Sequence, residues 1–118
     1  MILHITSRAE WQAAQANGEY TAPSLKSEGF IHCSTEAQVV HVANAFYRGR
    51  SDLALLVLDA TGLSSELRWE PPAGPPAAGI SASDLFPHIY GPINLEAVVR
   101  ILELEPDSAG TFSLPPLG

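Results

Sequence analysis

The alternation of apolar and polar positions in the first third of the chain predicts a strand, a helix and a second strand. Residues 2–6 form a short β-prone segment, which predicts the first strand. Ser7 and Glu10 have the spacing of a capping box, so a helix is expected to begin here and to end at Asn17 and Gly18. Residues 19–28 show no such pattern and predict a loop. The apolar stretch that follows predicts a second strand over residues 30–34.

Later elements are predicted from the same signals. Thr35 and Gln38 have the second capping-box spacing, and apolar residues at helical intervals predict a helix that Gly49 ends. Residues 53–58 are a continuous apolar run, which predicts a strand covered on both faces. The Pro- and Gly-rich residues 71–79 predict a mobile loop. Further strands are expected at residues 67–70, 88–93 and 97–104.

This order of elements, β-α-β-α-β-β-β-β, predicts an α+β fold. We expect a single compact domain over residues 1–105, with a split or mixed β-sheet core and two main helices. Residues 106–118 are rich in Pro, Gly and Ser and predict a loosely packed C-terminal tail. The 118 residues, 46% of them hydrophobic, are enough for one domain to bury a core without disulfides.

The charge of the chain narrows the class of partner. The formal net charge is −7, and the six Lys and Arg residues are scattered, which argues against a nucleic-acid partner and against a polybasic membrane contact. No apolar run approaches the roughly 20 residues that span a bilayer. The first residues lack the features of a signal peptide, and the single cysteine forms no intrachain disulfide, so we expect a cytoplasmic setting. The sequence indicates no oligomeric state.

Two short apolar segments, residues 29–35 and 86–92, each contain a histidine. Side chains alternate across a strand, so His32 shares a face with Ser34, and His88 shares a face with Tyr90. If the two strands are neighbours, these four side chains line one cleft. Imidazole, hydroxyl and phenol groups together predict an acid–base or ligand-binding site.

Two more features adjoin these segments. The second predicted helix begins at Ser34 or Thr35, and a helix N-terminus suits a phosphate or a carboxylate. Glu70 ends a predicted strand beside the Pro-rich loop, where it either orients a histidine or contacts a sugar; as an alternative it is a solvated edge residue.

The other candidate groups favour structural roles. His4 and His41 are interpreted as structural residues, and Cys33, on the opposite strand face from His32, as a small buried apolar residue. Without the family resemblance, Tyr47 is interpreted as a packing residue. His32, His88 and Glu70 form a candidate metal triad, but none of the familiar local ligand spacings is present, so no metal site is predicted.

The motifs Phe-Ile-His-Cys-Ser and Phe-Pro-His-Ile-Tyr-Gly lie within residues 30–35 and 86–92. With residues 46–49, 53–59 and 67–70, they resemble a bacterial family called domain of unknown function 952, over residues 1–104. The resemblance implies an ADP-ribosyltransferase-like fold, a split β-sheet core that grips NAD. His32-Cys33-Ser34 looks like the histidine motif of that superfamily, although Cys33 stands where glycine is more usual.

The resemblance also implies residue roles. His32 would bind the nicotinamide ribose, Tyr47 or Tyr90 would stack on the nicotinamide, and Glu70 or His88 would contact the ribose or the acceptor. The leading hypothesis is an NAD- or ADP-ribose-binding enzyme that transfers ADP-ribose, or as a variant a phosphate, with His32, His88 and Glu70 as catalytic residues. Its ligand contacts would come from Ser34, Thr35, Tyr90 and Tyr47. The alternative is a non-catalytic module that binds a small ligand or a protein.

Overall fold

The structure is a computed structural model that describes residues 1–117. It contains three α-helices, eight strands and two short 3₁₀ turns, at Ala60–Gly62 and Leu95–Ala97. The helices are α1 (Arg8–Asn17), α2 (Pro23–Ser27) and α3 (Glu36–Phe46). The strands are β1 (Ile2–Ser7), β2 (Glu19–Tyr20), β3 (Ile31–His32), β4 (Leu53–Leu58), β5 (Glu66–Glu70), β6 (Phe86–Tyr90), β7 (Ile93–Asn94) and β8 (Val98–Leu104).

The strands form three antiparallel sheets, in the orders β1-β4-β8, β2-β7 and β3-β6-β5. The predicted single α+β domain is therefore confirmed, but the expectation of a mixed sheet is wrong for the described residues. An isolated bridge between Leu3 and Ser34 connects β1 to the segment after β3. This bridge brings the sheet that contains His32 and His88 against β1.

The predicted capping box forms in full only at α3. At α1 the N-cap hydrogen bond of Ser7 forms, but the Glu10 carboxylate accepts from the Ser7 hydroxyl and not from its backbone N–H. The Ser7 hydroxyl accepts a hydrogen bond from the Glu10 amide at 3.0 Å, and Gly18, at φ +84°, ends α1 in the left-handed region. At α3, the Thr35 side chain accepts from the Gln38 backbone, while the Thr35 amide donates to Gln38 Oε1 at 3.0 Å. These contacts use nearby residues only, which is why the sequence predicts them.

β4 lies at the centre of the core because both of its faces are covered. Leu56 and Leu58 pack on one side with Ile31 and Ile89, while Leu55 packs on the other side with α3 residues. The predicted two-sided burial of residues 53–58 is confirmed, since every residue of β4 is buried. Two apolar clusters therefore sandwich the sheet β1-β4-β8.

Several predicted elements differ from the structure. The predicted loop at residues 19–28 contains β2 and the short helix α2, which Pro23 begins at its first turn. The predicted strand at residues 88–93 is instead two strands, because Gly91 and Pro92 interrupt it and Pro92 has no N–H to donate. The helices described in residues 1–117 all lack the length and apolar character needed to cross a bilayer.

The C-terminal segment is also ordered differently from the expectation. A loosely packed tail is wrong at Phe112, which is 2% exposed and packs in the core cluster with Val39 and Ala43 of α3. Asn44 of α3 holds this segment through both backbone groups of Phe112. Gly118, the last residue of the predicted tail, lies outside the described residues.

Candidate functional site

A cavity of about 560 Å³ lies between β1, the β3–β6 strands, α3 and the Pro-rich loop. Such a volume is typical of small-molecule sites. The loop contributes Pro72 and neighbouring residues to the wall. The polar lining that matters most for chemistry comes from His4, Thr6, Tyr20, His32, Ser34 and His88.

His32 and His88 are directly opposite each other on the paired strands β3 and β6. Their ring centroids are 5.6 Å apart, with the rings at 72° to each other. On the other face of the same strands, Ile31 and Ile89 pair and enter the core. Strand alternation therefore directs both imidazoles to the cavity side, as the sequence pattern predicts; their catalytic roles remain predictions.

Glu70 fixes the orientation of the buried His88. Glu70 Oε1 lies 2.9 Å from His88 Nδ1, and it also accepts a 2.5 Å hydrogen bond from the Tyr90 hydroxyl. The bonds from Tyr90 and His88 lower the pKa of Glu70, and the same carboxylate raises the pKa of Tyr90. In the neutral ring, Nδ1–H donates to Glu70, and Nε2 has no partner among residues 1–117.

Phe30 packs against all three aromatic rings of this group. Its ring stacks on His88 with a centroid distance of 4.2 Å and an interplanar angle of 23°. The Phe30 centroid is also 4.8 Å from His32 and 5.4 Å from Tyr90. Phe30 therefore restricts the rotation of both histidine rings, a positioning role that the sequence analysis did not assign.

A second glutamate pairs with His32. Glu28 Oε2 lies 2.9 Å from His32 Nε2, and both side chains are about half exposed. Glu28 caps the C-terminal end of α2, four residues before His32. Each histidine of the pair thus has its own carboxylate. Glu28 was missed because its segment was predicted to be a loop; its i, i+4 spacing to His32 is the signal that could have found it.

A buried polar network forms part of the cavity wall. His4 Nδ1 donates to the backbone oxygen of His32 at 2.6 Å, and His4 Nε2 lies 2.7 Å from the Tyr20 hydroxyl. The Tyr20 hydroxyl is in turn 2.9 Å from Thr6 Oγ1. Burial lowers the pKa of His4 to about 4 and raises that of Tyr20 above its usual range. His4 is therefore neutral near pH 7, and it connects β1 to the backbone of the site.

The other predicted site residues fall into two groups. Ser34 and Tyr47 line the cavity, and neither hydroxyl has a hydrogen-bond partner among residues 1–117. Burial raises the pKa of Tyr47. Glu70 and Tyr90 lie behind His88 and reach the cavity only through it.

Thr35 does not join the predicted site. It lines a separate groove with Met1 and Trp69, and its side chain caps α3. The backbone N–H groups of Thr35 and Gln38 are bonded within the capping box, and the anion seat predicted at the start of α3 stays a prediction. Within residues 1–117, no group of three or more His, Cys, Asp or Glu side chains could hold a metal ion. Cys33 is buried in the core, and burial raises its pKa.

The fold and the cavity define a small α+β protein whose site contains two histidines, each paired with a glutamate. The chain belongs to the family described as "Protein of unknown function (DUF952)", whose family model matches residues 5–101. The predicted membership of that family is thus confirmed.

Solved structures of one protein, CC0527 from Caulobacter crescentus, are similar to this chain. Its crystal structure is 35% identical, with a TM-score of 0.81, and the match covers 96% of this chain and 93% of that one. The crystal structure of a double mutant gives 34% identity and the same TM-score and coverage. Its solution NMR structure gives 35% identity and a TM-score of 0.75, covering 93% and 89% of the two chains. No curated protein matches the chain.

Proposed function

We propose that the cavity binds NAD or ADP-ribose and that the protein is an ADP-ribosyltransferase-like enzyme. The observation that carries the proposal is the His88–Glu70 pair. Glu70 holds His88 Nδ1 at 2.9 Å, so the neutral imidazole keeps a lone pair on Nε2. A histidine oriented by a carboxylate in this way is suited to act as a general base.

The size and lining of the cavity support a nucleotide-like ligand. Its volume of about 560 Å³ suits a ligand with several ring systems. Phe46 and Tyr47 offer aromatic surfaces to a base, and Arg50, whose guanidinium is 5.6 Å from the Tyr47 ring, offers a positive charge. His32 and Ser34 line the cavity and would contact ribose hydroxyls, which is the role that the resemblance implies for His32.

The proposed chemistry is cleavage of the bond between ribose C1′ and the nicotinamide nitrogen. His88 Nε2 accepts a proton from water or from an acceptor hydroxyl, and the oxygen of that group forms a bond to C1′. The electron pair of the broken bond leaves with nicotinamide, which becomes neutral. Glu70 stabilises the imidazolium formed at His88. The products are nicotinamide, the ADP-ribosylated acceptor and one proton.

Titration calorimetry and a nicotinamide-release assay test the proposal. The protein should bind NAD and ADP-ribose, and Glu70→Gln should reduce turnover by about 10²- to 10⁴-fold because it removes the charge that stabilises the imidazolium. Glu66→Gln is the matched control, since Glu66 lies on the same strand and, among residues 1–117, its side chain pairs only with Arg68. Folded protein that gives no heat with either ligand at millimolar concentration contradicts the proposal.

A non-catalytic module is the second candidate, and the Pro-rich loop favours it. Pro72, Pro75 and Pro76 line the cavity, so a partner bound there also contacts the loop. In this case a ligand should slow hydrogen exchange in residues 73, 74 and 77–79 without being turned over. Unchanged exchange in the loop with every candidate small ligand and protein partner argues against it.

A further inference from the structure

The hydrogen-bonding groups of the cavity are unevenly distributed between donors and acceptors. A carboxylate only accepts, so Glu70 takes the Nδ1 proton of neutral His88, and Glu28 takes the Nε2 proton of neutral His32. Each ring is left with a lone pair on its other nitrogen. Both histidines of the site therefore present acceptors to a ligand.

The buried network of His4, Tyr20 and Thr6 also leaves an acceptor free for a ligand. The carbonyl oxygen of His32 only accepts, so the His4 proton lies on Nδ1. With His4 neutral, Nε2 accepts the single proton of the Tyr20 hydroxyl, and the contact between Tyr20 and Thr6 then uses the Thr6 proton. Thr6 Oγ1 keeps only acceptor capacity. Ser34, on the same side of the cavity, is the one hydroxyl of this group whose proton is not engaged among residues 1–117.

The charged groups of the cavity also differ between its two ends. The carboxylate of Glu28 is beside His32, and Glu70 is behind His88. Arg50 lies at the other end of α3, next to Tyr47, and both of its bonded nitrogens face Asp52, at 3.1 and 2.8 Å. Since α3 has 11 residues, its two ends are about 16 Å apart. The histidine end of the cavity is thus rich in acceptors and contains only negative charges among these groups. At the opposite end, the Tyr47 hydroxyl has no partner among residues 1–117, and Arg50 lies near the carboxylates of Asp52 and Glu10, so both signs of charge occur there.

We propose that the histidine end of the cavity takes the hydrogen-bond-donating part of a ligand, an amide, an amidinium or a sugar hydroxyl group, and excludes carboxylates and phosphates. A donor satisfies the lone pairs of His32, His88 and Thr6, while an anion would face those lone pairs and two carboxylates. The inference rests on the proposed function, because it assigns an orientation to the ligand of that same cavity.

Three fragments of one shape test it: benzamidine, benzamide and benzoate. They share a ring and differ in whether the polar group donates as a cation, donates as a neutral amide or only accepts. The ring C–H resonances of His32 and His88 are followed by NMR at pH 8, above the ordinary titration range of histidine. Benzamidine and benzamide should shift these resonances, and benzoate should bind there at least about tenfold more weakly.

Glu28→Gln separates charge from shape at this end. The glutamine oxygen still accepts from His32 while the negative charge is lost. The affinity for benzamidine should therefore fall more than the affinity for benzamide. Glu103→Gln, on the exposed strand β8, should leave both affinities unchanged. Benzoate that binds as tightly as benzamide overturns the inference, and so does a failure of all three fragments to shift the histidines.

The two proposals fail in different ways. Binding of ADP-ribose together with equal binding of benzamide and benzoate leaves the proposed function intact and overturns the donor preference. The expected fragment order without binding of NAD or ADP-ribose supports the donor preference and contradicts the proposed function.

Discussion

At the scale of single residues, the burial of His4 couples the stability of the fold to pH. Both ring nitrogens are hydrogen-bonded, and burial lowers the pKa of His4 from 6.5 to about 4. Between these values the unfolded chain binds a proton that the folded chain does not bind. Stability is therefore complete above pH 6.5 and falls as the pH is lowered to 4, by about 3 kcal/mol.

His4→Asn tests this coupling. The asparagine amide can still donate to the His32 carbonyl, but it does not titrate, so the fall in unfolding free energy between pH 6.5 and 4.5 should largely disappear. At pH 8 the variant should be less stable by about 1–3 kcal/mol, since Tyr20 loses an acceptor. Urea unfolding at several pH values measures both effects.

His41→Asn is the control for that series, since it removes an exposed histidine and leaves the buried hydrogen bonds of His4 in place. A His4→Asn protein that still loses about 2 kcal/mol between pH 6.5 and 4.5 would show that another group is responsible. Glu70, whose pKa is lowered, changes stability in the same direction, but only as the pH falls below its ordinary value.

A site residue could be predicted from the sequence where the pattern that indicates it involves only neighbouring residues. His32, Ser34 and His88 follow from strand alternation, because the period of two fixes a face without knowledge of the fold. Tyr20 was not predicted, since its contacts to His4 and Thr6 join β1 to a two-residue strand formed only by pairing with β7. The network is a product of tertiary packing, and only the shared face of His4 and Thr6 is visible in the sequence.

At the scale of elements, local signals predict the helices better than the connections. The N-cap bond at Ser7 and the capping box at Thr35 use residues three apart, and both of these form. The Pro-rich loop shows no regular pattern, so the sequence predicts irregular structure there but not that the loop forms a wall of the cavity. Its end lies close to the His41 ring, since a Cβ on Gly79 would be 2.5 Å from Nδ1.

Gly79→Ala should displace this end of the loop. Gly79 has φ +87°, so alanine is strained there and also forces the His41 ring to move. Gly74→Ala is a matched control, with φ +130° and no atom within 4 Å of the added Cβ. Both variants should lose about 1 kcal/mol from backbone strain. The His41 ring resonances in NMR spectra should shift in the first variant only; equal spectra would contradict the contact.

At the scale of the whole molecule, the C-terminal segment completes one of the two core clusters. Its composition predicts a loose tail, but a single apolar side chain, Phe112, fills the space beside α3. Composition averages over a segment and therefore hides one anchoring residue. The Gly49 amide also donates to the Gly110 carbonyl at 3.0 Å. The segment is therefore bonded to residues far from it in the sequence.

Phe112→Ala should therefore destabilise the whole domain by about 3–5 kcal/mol, because a buried aromatic ring is lost from the core. Asn44→Ala should cost about 1–2 kcal/mol, since its side chain donates to the Phe112 carbonyl at 3.2 Å and accepts from the Phe112 amide at 2.7 Å. The double variant should lose less stability than the sum of the two single losses, because both changes release the same segment.

Leu114→Ala, at an exposed position, should change the unfolding free energy by less than about 0.5 kcal/mol in urea titrations. If Phe112→Ala changes stability as little as Leu114→Ala does, the segment does not pack against α3 in solution.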